Sequence, residues 1–219
     1  MSTLDYAKAR ELMVEQQVRP WDVLDARVLD ALSAIPRDAF VPAAHRTLAY
    51  ADVGLPLGHG EAMMKPVVEG RMLQALDLHA GDEVLEIGTG SGFITACLGR
   101  LAREVVSIER HADLAEAAHA RLAALRLAGN VRIEHADAFA WANERRFDAI
   151  CVTGAVDAIP ALFRDWLRPG GRMFVVHGRS PSMDAVLVRN DVNGVRIESL
   201  FETEIPYLVG AAPVPTFEL

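Results

Sequence analysis

Val84-Leu85-Glu86-Ile87-Gly88-Thr89-Gly90-Ser91-Gly92 is the stretch that decides the fold. Its apolar run reads as a buried strand, and its alternating glycines turn the chain sharply into a helix, which brings bare backbone close to a ligand. A second apolar run ends at Glu109, an acid placed to accept from a ribose hydroxyl. A strand, a glycine turn, a helix and a second strand closed by a carboxylate describe a nucleoside-cofactor site.

The glycine spacing selects the cofactor. Dinucleotide loops read G-x-G-x-x-G, and their amides and helix N-terminus receive a pyrophosphate. Here the pattern is E-x-G-x-G-x-G, with Glu86 ahead of the first glycine. A carboxylate in that place suits a ligand with cationic or donor groups and repels a pyrophosphate. S-adenosylmethionine, which carries an ammonium and a sulfonium and no phosphate, fits; a nucleotide-dependent dehydrogenase is disfavoured. A glycine-rich loop alone could be only a tight turn, but Glu86, three glycines and Glu109 in one strand-helix-strand unit argue for a cofactor site.

With 219 residues, 51% of them hydrophobic, the chain can bury one good core, so one compact unit with an N-terminal extension is expected. The balance of 22 basic against 30 acidic residues, with no basic cluster beyond pairs such as Arg145-Arg146, disfavours a nucleic-acid substrate. Asp5, Lys8, Arg10, Glu11 and Glu15 leave no signal-peptide apolar core near the start, and no apolar run is long enough to span a membrane. Two cysteines, Cys97 in an expected helix and Cys151 in an expected strand, read as small core residues of a reduced, cytoplasmic protein. No zinc spacing, G-x-S-x-G elbow or Walker motif occurs.

Residues 4–17 and 22–35 read as helices, the second with Leu24, Val28, Leu32 and Ile35 on one face and Pro36 as its stop. Residues 40–64 are rich in Gly, Pro and His without a stable period, as in a working loop, and are the expected acceptor side. Pro66 opens a helix bearing Val68, Met72 and Leu76. Strands at 83–87, 104–109, 131–135, 147–153 and 172–177 then alternate with helices at 92–101, 112–127 and 160–167, a pattern that demands a parallel sheet; Gly129-Asn130 is the expected stop of the 112–127 helix. Strands near 184–190 and 195–202, joined through Asp191-Val192-Asn193-Gly194, predict an antiparallel finish. The expected division is a helical extension and acceptor-side loop over 1–65 and a cofactor-binding domain over 66–219. Thr153 in Val152-Thr153-Gly154-Ala155 lies at the carboxyl edge of the sheet, where ligands bind, or satisfies a loop group there.

Phe40-Val41-Pro42, Ala49-Tyr50-Ala51-Asp52, Leu55-Pro56-Leu57-Gly58-His59-Gly60, Glu86 to Phe93, Ser107-Ile108-Glu109-Arg110 and Phe147-Asp148-Ala149-Ile150 together resemble the protein-L-isoaspartate O-methyltransferases. The resemblance runs from about residue 12 to about residue 178, with a looser echo at Ile205-Pro206-Tyr207-Leu208. It implies a Rossmann-like class I S-adenosylmethionine-dependent methyltransferase: an α/β fold with a mostly parallel twisted sheet ending in an antiparallel hairpin and a helical N-terminal extension. By the same resemblance Glu86, Ile87, Gly88, Thr89, Gly90, Ser91 and Gly92 hold the methionine end of the cofactor and Glu109 its ribose. Asp137 would bind the adenine amino group and the Ala138 amide the ring. The family has Gly-Asp-Gly where this chain has Ala136-Asp137-Ala138, which keeps the carboxylate and restricts the backbone.

The acceptor side departs further. Where the family reads Gly-Gln-Thr-Ile-Ser before a proline, this chain reads Gly60-Glu61-Ala62-Met63-Met64-Lys65-Pro66. The serine that the resemblance makes necessary for isoaspartyl transfer is Met64, and a hydroxyl has become an apolar, polarizable side chain. His59, Glu61, Lys65, Pro206 and Tyr207 are the candidate acceptor-pocket residues. An aspartyl-type carboxylate is ionised at neutral pH and needs no base, so alignment is the main requirement. A hydroxyl or amine acceptor would need one, with His59, Glu61 and His177 as candidates; Lys65 could pair with an anion. Three functions therefore fit the sequence: methylation of isoaspartyl carboxylates in damaged proteins, the same chemistry on a small molecule or another protein side chain, and a non-catalytic cofactor-binding module.

Overall fold

The computed structural model describes residues 4–192 and 194–214; Asn193, named above as part of the hairpin turn, lies outside the described residues. A small antiparallel hairpin, β1 (Leu55–Gly58) with β2 (Glu61–Met63), stands apart from a seven-stranded sheet. The sheet is built from β3 (Glu83–Ile87), β4 (Glu104–Glu109), β5 (Val131–His135), β6 (Phe147–Val156), β7 (Leu167–Arg179), β8 (Ser182–Asp191) and β9 (Gly194–Thr203), in the order β5-β4-β3-β6-β7-β8-β9. Strands β3 to β7 pair parallel, while β7–β8 and β8–β9 pair antiparallel, as expected from the alternating pattern and its finish.

The helices follow the same logic. α4 (Phe93–Leu101) joins β3 to β4, α5 (Ala112–Ala124) joins β4 to β5, and α6 (Ala161–Asp165) precedes β7. The chain runs outward from β3 through β4 to β5, then returns to place β6 on the other side of β3. That reversal opens a crevice at the carboxyl ends of β3 and β6, which is where ligands bind in open α/β sheets.

Side-chain alternation splits the core. Val84 of β3, Val105 of β4 and Cys151 of β6 face one cluster, shared with α4 and the N-terminal helices; Leu85, Ile87, Ile108 and Val152 face the other, shared with Phe163 of α6. The N-terminal part is thus continuous with the sheet's own core. α1 (Tyr6–Met13) begins at Asp5, which accepts from Lys8 N at 3.0 Å, and runs into a wider π turn at Val14–Val18. α3 (Pro66–Leu76) starts on its proline and carries Gly70, where a Cβ would lie 2.6 Å from Val18 Cγ1, so the glycine permits close helix contact.

Three local expectations are corrected. α2 spans Ala26–Ala34, capped by Asp25, so Leu24 lies before the helix and is 69% exposed, while Val28, Leu32 and Ile35 are buried. α5 ends at Ala124, and Arg126 (φ 59°) turns the chain left-handed before Gly129 is reached. Asn130 instead serves α4, donating to the Gly99 and Ala102 carbonyls at 2.8 and 3.0 Å. Residues 40–64 hold a short helical turn at Ala43–Leu48 and the β1–β2 hairpin, so that region is more ordered than a loop. Among the described residues no helix is long and apolar enough to cross a membrane, and no group of three or more His, Cys, Asp or Glu is gathered as a metal would need.

Candidate functional site

The cleft at the carboxyl ends of β3, β4 and β6 is floored by the glycine turn. Gly88, Gly90 and Gly92 have φ of 96°, 52° and 86°, the left-handed region that a Cβ disfavours. A Cβ on Gly88 would also strike the Thr153 hydroxyl, which donates to the carbonyls of Ile87 and Gly88 at 3.0 and 2.5 Å. Thr153 therefore both faces the cleft and props its turn. Ile87, Gly88, Thr89, Gly90 and Ser91 line the cleft, whereas Gly92 lies behind it as the α4 cap, against Ala118.

Glu86 is placed differently from the sequence reading. It points to the same face as Val84, into the core behind the turn, because strand side chains alternate. Its Oε2 accepts from Thr95 Oγ1 at 2.5 Å and Ser107 Oγ at 2.6 Å, and Ser107 meets Thr89 Oγ1 at 2.5 Å, so the carboxyl braces the loop from beneath. Its Oε1 has no partner. Burial pushes this carboxyl up to about 8 against the two hydroxyl hydrogen bonds, which favours its neutral form.

Glu109 ends β4 at 5% exposure on the cleft wall. Its Oε2 accepts from Gly90 N at 2.8 Å and its Oε1 from His111 N at 2.9 Å, so the carboxylate is oriented while lone pairs remain for a ligand. Asp137 and Ala138 line the next part of the wall. Asp137 is not free: it forms an ion pair with Arg110 and accepts from Phe139 N at 3.0 Å. Phe139, which the sequence reading did not single out, adds an aromatic face stacked on Phe163 at 5.6 Å.

The hairpin forms the roof. Met64 is 6% exposed and lines the cleft; its carbonyl accepts from the buried Arg37 at 2.6 Å. Arg37 also pairs with buried Glu69 at 3.0 Å and lies over the Phe93 ring. Burial pushes Glu69 up to about 7, with the Arg37 charge pulling against it. Glu61 lines the cleft too, its carboxyl raised by burial and held back by His111, whose Nε2 is 3.5 Å from Glu61 Oε1. His59 lies outside the lining, at the hairpin tip, paired with Asp113 and stacked on His111.

Lys65, Pro206, Tyr207 and His177 are not brought to the cleft. Lys65 is exposed beside the α3 start. The Tyr207 hydroxyl donates to Gly178 O at 2.9 Å and accepts from Ser180 N, while its neighbours Leu208 and Val209 form the wall instead. His177 sits in β7 opposite Asp184. The tail reaches the wall because Ala155 N donates to Pro206 O and Leu208 N to Ala155 O, which adds a parallel bridge to β6. His111, Leu57 and Leu208 are the other functional candidates that sequence reasoning missed; Leu208 ends the looser echo noted above, and His111 closely follows Glu109.

Four carboxylates, Glu61, Glu69, Glu109 and Asp137, thus line one cleft with the glycine turn, with Arg37 and Arg110 already committed to two of them. Such a lining favours a cationic ligand and opposes a pyrophosphate. A carboxylate for a ribose, an apolar and aromatic slot for a base, and exposed turn amides fit S-adenosylmethionine.

The chain matches the family described as protein-L-isoaspartate(D-aspartate) O-methyltransferase (PCMT) over residues 8–207. A protein-L-isoaspartate O-methyltransferase of Methylorubrum extorquens (strain PA1) is 45% identical over 174 residues, covering 80% of this chain and 76% of that protein. Protein-L-isoaspartate O-methyltransferase 1 of Rhodopseudomonas palustris (strain HaA2) is 39% identical over 208 residues, 94% and 84% of the two chains. Among solved structures, a putative protein-L-isoaspartate O-methyltransferase of Plasmodium falciparum, in complex with S-adenosyl-L-homocysteine, shares the fold with a TM-score of 0.79 at 18% identity, over 94% of this chain and 99% of that one. A second structure, a protein-L-isoaspartate O-methyltransferase, has a TM-score of 0.79 at 25% identity over 92% and 66%.

Proposed function

The chain belongs to the protein-L-isoaspartate(D-aspartate) O-methyltransferase family, and from that premise we propose that it transfers a methyl group from S-adenosylmethionine to the carboxylate of isoaspartyl residues in damaged proteins. The observation that carries this reading is the cleft itself: left-handed glycines, an oriented Glu109 and a surplus of carboxylates under an apolar roof. The turn from Ile87 to Ser91 would receive the methionine end, Glu109 the ribose hydroxyls, and Asp137, Ala138 and Phe139 the adenine. Glu86 and Gly92 act behind the turn by fixing its shape.

When bound, the cofactor supplies a methyl on a positively charged sulfur. Everything else is done by the chain. Met64, Leu57 and Leu208 exclude water around the transfer site, and Arg37 holds the Met64 backbone in place. A carboxylate acceptor arrives ionised, so no side chain needs to take a proton. Alignment in a dry pocket is worth roughly 7 to 11 kcal/mol in favourable cases, which allows catalysis without the family's serine.

A second reading rests on Met64 and Glu61. An apolar side chain and an acid on the acceptor side suit a neutral acceptor, small molecule or protein side chain, better than an anion. We place the cofactor-binding domain at 66–219 and the acceptor side with the extension over 1–65; two buried free cysteines fit a cytoplasmic protein. The test is transfer of labelled methyl to an isoaspartyl peptide beside its aspartyl twin. Selective labelling, increased by Met64→Ser, supports repair; no labelling with cofactor binding intact assigns a different acceptor or a binding module.

A further inference from the structure

The β1–β2 hairpin is held firmly at its root and by few groups at its tip. At the root, Leu55, Met63 and Met64 are buried and Arg37 binds the Met64 carbonyl. At the tip, Gly58, His59 and Gly60 have φ of 101°, 55° and 84°, all left-handed, and a Cβ on either glycine would meet nothing within 4 Å. Between root and tip the hairpin crosses the cleft: Leu57 Cδ1 lies 3.1 Å from where a Gly90 Cβ would stand, and Glu61 faces His111. The tip is tied down by His59. Its Nε2 lies 3.0 and 3.1 Å from the two Asp113 oxygens in the first turn of α5, and its ring stacks on His111 with centroids 4.2 Å apart and planes 10° from parallel.

We propose that His59 and Asp113 are positioning residues that clasp the hairpin over the cofactor cleft, so that opening of the clasp sets the rate at which S-adenosylmethionine enters and its product leaves. The inference rests on the cofactor reading given above, and it concerns exchange, not transfer. Every contact of the clasp joins one protein group to another. Weakening it therefore speeds entry and release together and leaves affinity nearly unchanged, whereas a direct ligand contact would alter release alone.

The clasp is also sensitive to pH. His59 faces Asp113 of α5, His111 of the turn leading into α5, Glu61 of its own hairpin and Glu109 of β4. Asp113, by hydrogen bond and then by charge, raises the His59 imidazole above its ordinary value, with Glu61 and Glu109 adding to it. The charged pair is present below that value and is lost as pH rises through it, so exchange quickens on the alkaline side.

The test is stopped-flow measurement of association and dissociation of S-adenosylhomocysteine with the whole protein. Asp113→Asn should raise both rates about two- to fivefold, the scale of an exposed ion pair. His59→Ala, which also removes the stack, should raise both about tenfold. His59→Phe keeps a ring on His111, should match Asp113→Asn, and should lack the alkaline rise expected of the unmodified protein. Rates unchanged in His59→Ala, or faster release with association unaltered, would overturn the clasp. Failure of the unmodified protein to bind S-adenosylhomocysteine would remove the cofactor reading itself.

Discussion

Replacing Glu86 by glutamine should make the protein markedly more stable at alkaline pH and little different in acid. The carboxyl is fully buried, accepts from Thr95 and Ser107 through Oε2, and leaves Oε1 without a partner. Its ordinary value of 4.5 is raised to about 8, so between those values the folded protein holds a proton that the unfolded chain has lost. The associated stability is complete below 4.5 and declines as pH rises towards 8. Well inside that window each pH unit removes about 1.4 kcal/mol, and because the carboxyl is half titrated at the upper end, going from pH 6 to pH 8 removes about 2 kcal/mol. Glutamine presents an oxygen to the same two hydroxyls and cannot ionise, so this decline disappears. Urea unfolding of both proteins at pH 6, 7 and 8 measures it, because every other titrating group is shared and cancels in the difference. Curves that fall in parallel, within ~0.5 kcal/mol, would refute a neutral Glu86 and with it the account of how the glycine turn is braced.

Other outcomes follow from the same contacts. Glu109→Ala should weaken S-adenosylhomocysteine binding by about 1 to 3 kcal/mol by calorimetry, since the variant also frees Gly90 N. Arg37→Met leaves Glu69 buried without its partner and should lower unfolding stability by about 3 to 5 kcal/mol, with most of the loss recovered in Arg37→Met/Glu69→Leu. Gly88→Ala must bear both a left-handed φ of 96° and a collision with Thr153, so cofactor affinity should fall at least about tenfold while Gly129→Ala, where a Cβ meets nothing, changes little.

The strand, turn and helix from Val84 to Leu101 were legible because two strong signals coincide there, an apolar run and alternating glycines. Glu86 was assigned to the ligand from its nearness to Gly88 along the chain. The alternation of Val84 and Glu86 against Leu85 and Ile87 was the better guide, and it turns the carboxyl into the core. The β1–β2 hairpin was hidden because its strands are very short, and Pro56 and Gly58 within β1 and Gly60 in the turn carry loop signals. Arg126 ended α5 where a glycine was expected, since a left-handed position tolerates other residues at some strain. His111 belongs to the site because it lines the cleft and faces Glu61 of the hairpin, a contact between distant segments that no local period announces.

The segment that brings Leu208 to the cleft contributes a bridge to β6 and little else to the sheet. During synthesis the glycine turn, Glu109 and the parallel strands are all complete long before this wall is made. A chain that stops short of this segment can therefore assemble its central sheet while its ligand cleft still lacks one side, so that ligand capture waits on the segment that carries Leu208 and Val209. A stop before Ile205 would be expected to separate folding from binding, yielding a protein that resists proteases through its core and retains the cofactor poorly.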